Sequence, residues 1–458
     1  MSAVAVATVP LGALVALGGA YPSSVIPLLA LAAIAFMLSG AYVGADRATR
    51  LLDISLVVAL AVILLQTVSL PAGVVAALSP HALSLQTFLS LETFEGWRPL
   101  SVDRRLTRQG LASAASAMLL FWAARATFQK GGLRTAVRLI IWGGVIMAVV
   151  GLVQRVTSPK LLLWTWEPID PATRPFGPFA NRNNFASWLL MASSLAVGYV
   201  ATHLMMRGVF RRRSLRLVVR DVLVDATGIA LAAGAAVMTF ALMSTASRGA
   251  LIGAIAAVLT GIVMARRTAG PAATGAVVAL ILFLASALWL NVDALAGRVL
   301  PTANVGRQTI WRETLPVVRD FLWSGTGVGT YPRAMLRYQQ TEPHILFNQA
   351  HNEYLQLIAE GGLLLTLPAI VAVASWAALA VRRLREDHDA RRWIRVGAAA
   401  GIGGLAVHCI WESTLRLTAN AMLLALLAAI VIHRRSDSTT PGRFQDAATL
   451  QAPEARRR

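Results

Sequence analysis

VLVDATGIALAAGAAVMTFALMSTASRGALIGAIAAVLTGIVMA, Val222 to Ala265, decides the fold class, because its 44 residues hold only two charges, Asp225 and Arg248. Apolar runs at about 222 to 243 and 250 to 265 meet at Ser247-Arg248-Gly249. A helix needs roughly 20 apolar residues to cross the hydrocarbon core of a bilayer. The stretch therefore reads as two membrane helices joined by a tight turn, with Arg248 at the boundary.

Working outward, similar segments fall at about 3 to 20, 24 to 44, 54 to 76, 110 to 128, 139 to 154, 184 to 206, 271 to 291, 353 to 381, 396 to 411 and 420 to 433, twelve in all with the first two. The composition agrees. Of 458 residues, 56% are hydrophobic and 14% charged, and the mean hydropathy is +0.62, whereas a water-soluble domain carries about 25% charged residues. The expected fold is all-α, a polytopic transmembrane bundle of about 12 helices with residues 1–435 as one unit. Residues 436–458, rich in Asp, Thr, Pro, Gly and Gln, read as a disordered tail. The N-terminal run has no basic region before it and reads as a first helix, not a cleaved signal.

The formal charge of +20 raises the question of nucleic acid, which the placement of the charges answers. Basic residues resist translocation and mark the cytoplasmic side. The cluster Arg207, Arg211, Arg212, Arg213, Arg216 and Arg220 anchors the orientation, and putting it inside divides the 42 Lys+Arg into 26 inside and 16 outside. Both termini are then cytoplasmic. The charge is a topology signal and gives no reason to invoke nucleic acid. Cys409, the one cysteine, excludes a disulfide framework and any cysteine-based metal site.

Three longer segments lie outside on this topology: about 77–109, 155–183 and 292–352. Loops beyond about 15 residues are usually functional or disordered, and the aromatic content of the last, including Trp311, Phe321, Trp323, Tyr331 and Tyr338, argues for short helices on the outer face.

Four outer patterns can carry chemistry, each beside a plainer reading. Arg248, with no acid nearby in sequence, either binds an anion or anchors in the headgroups. Gly306-Arg307 through Arg312-Glu313 offers guanidinium forks that suit phosphate, and the glycines of Gly325-Thr326-Gly327-Val328-Gly329 let backbone N–H groups approach an anion, or form only a tight turn. His351, in Ala350-His351-Asn352-Glu353-Tyr354, stands where the loop enters a helix and suits a general base or a structural role, while Asn352 suits a helix cap. Arg174 and the run Gly177 to Asn184, including Asn181, offer groups for sugar or phosphate, or a cap at Asn183 or Asn184. The pair Trp164 and Trp166 suits a sugar face or an interfacial belt. Gly397 and Gly401 have small-xxx-small spacing for helix packing. His203, His408 and His433 lack metal spacing and receive no role.

Taken in order and spacing, Gly306-Arg307, Ile310-Trp311, Gly325 to Gly329, Ala350-His351-Asn352-Glu353-Tyr354-Leu355-Gln356 and Glu360-Gly361-Gly362 resemble the signature region of the O-antigen ligase and polymerase superfamily. The likeness reaches back to Gly177 to Asn183 and Ser247-Arg248-Gly249, covering about 174 to 365 in pieces. It implies an inner-membrane glycosyltransferase that moves a glycan from an undecaprenyl-diphosphate donor to an acceptor hydroxyl on the periplasmic face. The acceptor is the lipid A core for a ligase, or a growing glycan for an O-antigen, exopolysaccharide or capsule polymerase. By position, Arg248 and Arg307 would bind the diphosphate and His351 would activate the acceptor. Arg174, Asn181, Arg312, Asn352, Glu353 and Tyr354 are candidate substrate contacts. The resemblance implies no metal, no ATP and no cofactor.

Two other classes share this hydropathy. A polysaccharide or lipid transporter would place ionisable residues and broken helices near the midplane, often in repeated halves. A peptidoglycan-polymerase scaffold would need an acidic outer-loop residue, and Glu313, Asp320, Glu342, Glu353 and Glu360 are all candidates, none distinguished from the others.

Overall fold

The computed structural model describes residues 1–44, 46–90, 96–168, 173–207, 225–265, 302–341, 344–387, 389 and 391–434. The apolar segment 271–291, the basic residues Arg211 to Arg220, Glu342 and the tail after residue 435 lie outside them. The described chain is a bundle of 15 α-helices with one small two-stranded sheet. In chain order they are α1 Ser2–Val15, α2 Pro22–Ser39, α3 Arg50–Thr67, α4 Ala72–Leu78, α5 Pro80–Ser90, α6 Arg104–Gln129, α7 Leu133–Thr157 and α8 Arg182–Met206. There follow α9 Ala226–Ser244, α10 Arg248–Ala265, α11 Thr302–Asp320, α12 Tyr331–Tyr338, α13 Glu353–Glu386, α14 Arg392–His408 and α15 Thr418–Ile432.

Among the described residues, eight helices are long and apolar enough to cross a membrane, or nine if α4 and α5, bent by 116° at their junction, count as one span. Eleven of the twelve apolar segments fold as helices. The segment 54–76 is shorter as a helix than its hydropathy suggests. Helix α3 stops at Thr67, and Ser69–Pro71 forms a strand, β1, antiparallel to Trp97–Pro99, β2. Proline cannot continue a helix here, and an extended turn satisfies the chain instead.

Small residues bring the central helices into backbone contact. A Cβ on Gly198 of α8 would lie 2.8 Å from the Cα of Gly397 on α14, and one on Gly404 would lie 2.5 Å from the carbonyl oxygen of Gly253 on α10. Helix α14 is thereby held between α8 and α10, the packing that small-residue spacing permits in membranes. A main apolar core runs through α1, α2, α6 to α10, α14 and α15, with Trp188, Phe128 and Leu120 fully buried.

A second, separate core lies at one end of the bundle. Val75, Leu85, Leu100, Val317, Phe321, Tyr331, Met335, Phe347 and Ala350 pack together, joining α4, α5, α11 and α12 to the start of α13. The described residues of the polar segments around 68–103 and 302–352 thus fold into one cap. The opposite end carries the basic turns. There Arg125 donates to Asp53 at 2.5 Å, His203 pairs with Asp225 at 2.5 Å, and Arg395 pairs with Asp387 at 3.2 Å.

Candidate active site

The cap end gathers side chains that are far apart in sequence. Asn352 Oδ1 accepts from the Leu355 amide at 3.0 Å and so caps α13, leaving His351 just outside the helix. The His351 backbone is left-handed, φ +49°. A non-glycine residue rarely adopts that region, and such residues cluster at functional sites. Two contacts hold it there. The Glu353 amide donates to the Cys409 carbonyl at 2.9 Å, and Trp311 Nε1 donates to the Ala350 carbonyl at 2.9 Å. Because Arg307 lies four residues before Trp311 on α11, it shares that face and reaches the same place.

At the centre stands Glu412, which none of the sequence patterns singled out. It lies in the turn after α14, 1% exposed. Its Oε1 accepts from His351 Nδ1 at 2.9 Å and its Oε2 accepts from Asn183 Nδ2 at 2.7 Å. Arg307 Nη2 lies 3.6 Å from the same Oε2. Burial alone raises the pKa of this carboxyl. The His351 hydrogen bond and the positive fields of His351, His408 and Arg307 outweigh it, so the carboxyl titrates below its ordinary value. A carboxylate has no proton to give, so His351 carries its proton on Nδ1. His351 Nε2 has no hydrogen-bond partner among the described residues, and the side chain is 26% exposed.

His408, given no role from its sequence, is buried beside this group, its Nδ1 2.9 Å from Ser187 Oγ. Arg248 opens α10 next to it. A Cβ on Gly249 would lie 2.8 Å from His408 Cδ2 and 3.6 Å from Trp411 Cβ. Ser247 Oγ accepts from the Ala250 amide at 3.4 Å and starts the helix. Arg248 is half-buried and makes no ion pair or side-chain hydrogen bond among the described residues. The arrangement therefore presents an imidazole with one nitrogen fixed and one open, near the loosely paired guanidinium of Arg307, while the start of α10 that bears Arg248 packs on the neighbouring His408.

The glycine run does bind an anion, and the anion belongs to the protein. Gly325, Gly327 and Gly329 all have positive φ, which glycine alone adopts readily. The Gly329 and Tyr331 amides donate to the two Glu360 carboxylate oxygens at 2.9 and 3.0 Å, and the Gly327 amide donates to the Glu360 carbonyl at 2.9 Å. Arg416 donates to the same carboxylate. Helix α13 breaks at Gly362, φ +59°, to admit this loop, and Gln66 of α3 closes the far side by donating to the Ser324 and Glu360 carbonyls at 2.8 and 2.9 Å. The run is a tight turn locked onto α13.

Several candidate substrate contacts have structural occupations instead. Asn181 caps α8 by accepting from the Asn183 amide at 2.9 Å. Asn352 caps α13 in the same way. Glu353 accepts from the Leu415 amide at 3.0 Å and pairs with Arg416 at 3.5 Å. Tyr354 donates its hydroxyl to the Ala406 carbonyl at 2.7 Å. Arg174 and Arg312 are exposed, and neither joins the cluster. Of the other acids, Glu313 accepts from the Thr341 amide at 2.9 Å and Asp320 accepts from the Tyr338 hydroxyl at 2.8 Å. Trp166 and Trp164 donate to Tyr21 Oη and Thr157 Oγ1 at 2.8 and 2.7 Å, folding back onto the bundle.

A search of curated proteins gives no match. Residues 233–370, the stretch that carries Arg248, Arg307 and His351, match the family model described as O-antigen ligase.

Proposed function

We propose that the chain is an O-antigen ligase, transferring a glycan from undecaprenyl diphosphate to a hydroxyl of the lipid A core on the periplasmic face of the inner membrane. Residues 1–435 form the transferase unit, with both termini cytoplasmic. Arg248 and Arg307 hold the diphosphate. His351 Nε2 takes the proton of the acceptor hydroxyl as its oxygen bonds to the anomeric carbon. The bond from that carbon to the diphosphate breaks, and the electron pair leaves on the diphosphate oxygen. Attack opposite the leaving group inverts the anomeric configuration.

The observation that supports this reading is the meeting of His351 and Arg307 on one buried carboxylate, beside the helix end that bears Arg248, which has no ion pair among the described residues. Guanidinium groups fixed before the reaction stabilise charge as it develops on the departing diphosphate, which is electrostatic catalysis without reorganisation. Holding donor and acceptor in register supplies much of the rest. Placement of these groups at one end of the bundle, away from its middle, favours transfer over transport.

A deletion strain tests the assignment. Loss of all long glycan chains from the lipid A core, restored by the wild-type chain, supports a ligase. A single repeat unit left on the core points to a polymerase of the same superfamily, and loss of a secreted polymer points to an exopolysaccharide polymerase. Restoration by His351→Ala would overturn the assigned base.

A further inference from the structure

Glu412 sits outside residues 233–370, and the proposed reaction does not by itself require it. Its surroundings are unusually complete. The turn that bears it is fixed from both sides: the Leu415 amide donates to Glu353 Oε2 at 3.0 Å, and Asn420 Nδ2 donates to Thr414 Oγ1 at 2.6 Å and to the Asn184 carbonyl at 3.1 Å. Thus α8, α13 and α15 together set the position of one carboxylate. Asn183 fills one side of Oε2, and His351 fills Oε1. The charged and titratable groups around it are His351 from the loop before α13, Arg307 from α11, His408 and Cys409 from the end of α14, and Glu353 from α13. A buried carboxylate is costly unless paired, and here its pairs are the two residues assigned to proton transfer and diphosphate binding.

We infer that Glu412 is the positioning residue of the reaction: it holds His351 with Nδ1 protonated and Nε2 free toward the acceptor, and it keeps Arg307 in the site until a donor diphosphate takes over the guanidinium. The inference rests on the proposed roles of His351 and Arg307. Two geometric facts carry it. The Nδ1 hydrogen bond at 2.9 Å is short enough to fix the tautomer. The Arg307 contact at 3.6 Å is longer than a direct hydrogen bond, so the guanidinium is held nearby without being locked. A carboxylate there also stabilises the imidazolium that forms when His351 takes the acceptor's proton, the role a buried acid plays behind a catalytic histidine.

The test uses the full chain in proteoliposomes, with undecaprenyl-diphosphate-linked glycan titrated against fixed lipid A core, for wild type, Glu412→Gln, Glu412→Asp and His351→Ala. Glu412→Gln keeps the size of the side chain and removes the charge. It is expected to lower kcat about 10- to 100-fold, to leave the KM for donor unchanged or up to about threefold lower because Arg307 loses a competitor, and to move the acidic limb of the rate profile to lower pH by half a pH unit or more. Glu412→Asp keeps the charge and is expected to give an intermediate kcat with the wild-type limb. His351→Ala is expected to lose at least about 100-fold. If Glu412→Gln has a kcat within twofold of wild type and an unmoved limb while His351→Ala is inactive, the role of Glu412 is overturned and the role of His351 stands. Equal losses in Gln and Asp variants with an unmoved limb would mark a structural prop and also overturn it. Full activity of His351→Ala overturns both readings.

Discussion

The two ends of the bundle use charge differently. At the basic end, several cations are matched to partners at close range: Arg125, with Trp122, donates to buried Asp53, at 2.5 and 3.0 Å, Lys130 donates to the Ser39 carbonyl at 2.8 Å, and Arg392 donates to the Met264 carbonyl at 2.7 Å. At the cap end, Arg416 is similarly matched to Glu353 and Glu360, but Arg307 stands 3.6 Å from Glu412 and Arg248 has no pair among the described residues. Close pairs join helices. A loosely held cation such as Arg307 keeps hydrogen-bonding capacity that a close pair has already spent. On the proposed function, the contrast separates arginines that join helices from arginines left to bind the diphosphate, within one residue type and one molecule.

Substitutions can break that contrast, and the largest effect is expected at His351. His351→Ala should lower transfer by about 100-fold or more with normal protein in the membrane, measured as glycan-bearing lipid A core against chain abundance. Next, Arg248→Lys and Arg307→Lys should each cost about 10- to 100-fold, because a point charge cannot reproduce the bidentate fork. Chain abundance and melting should stay near wild type. The reverse pattern is expected at the basic end. Asp53→Ala leaves Arg125 buried without its partner, which costs about 3–5 kcal/mol, and should lower the melting temperature in detergent while the folded fraction keeps its kcat. A kcat loss in Asp53→Ala without destabilisation would erase the distinction between the ends.

Smaller effects sharpen it. Glu412 titrates below the ordinary carboxylate value of about 4.3, so its contribution to stability is full above that value and fades as pH falls through its lower folded-state pKa. Acid unfolding of the cap should accordingly be shallower in Glu412→Gln than in wild type, as followed by tryptophan fluorescence. Arg174→Ala and Arg312→Ala, on exposed positions outside the cluster, should change transfer by less than about threefold.

How much of this was legible in the sequence depends on the distance over which each signal acts. Apolar runs announce helices locally, and eleven of the twelve runs are helices in the described residues. The break at Thr67 shows the limit, since the apolar run passes through it and only Pro71 and the pairing of β1 with β2 end the helix. Arg307 and His351 were visible because each sits in a dense pattern of polar and glycine residues. The glycine run was visible as a turn, but its anchor, Glu360, could not be told from four other acids until the fold placed two loop amides on its carboxylate. Glu412 gave no pattern at all: a single acid in a short turn after an apolar helix, 61 residues beyond His351. His408 was hidden in the same way, its partner Ser187 lying 221 residues away. Such pairings arise from tertiary packing of α8, α13 and α14, which no window of sequence contains.

On the proposed function, the cap-end cluster transfers a lipid-linked glycan. The most direct measurement is single-turnover transfer from undecaprenyl-diphosphate-linked glycan to lipid A core in proteoliposomes, comparing wild type with His351→Ala at equal chain density. Product with release of undecaprenyl diphosphate is expected for wild type, and neither above background for His351→Ala. Equal product from both chains would contradict it.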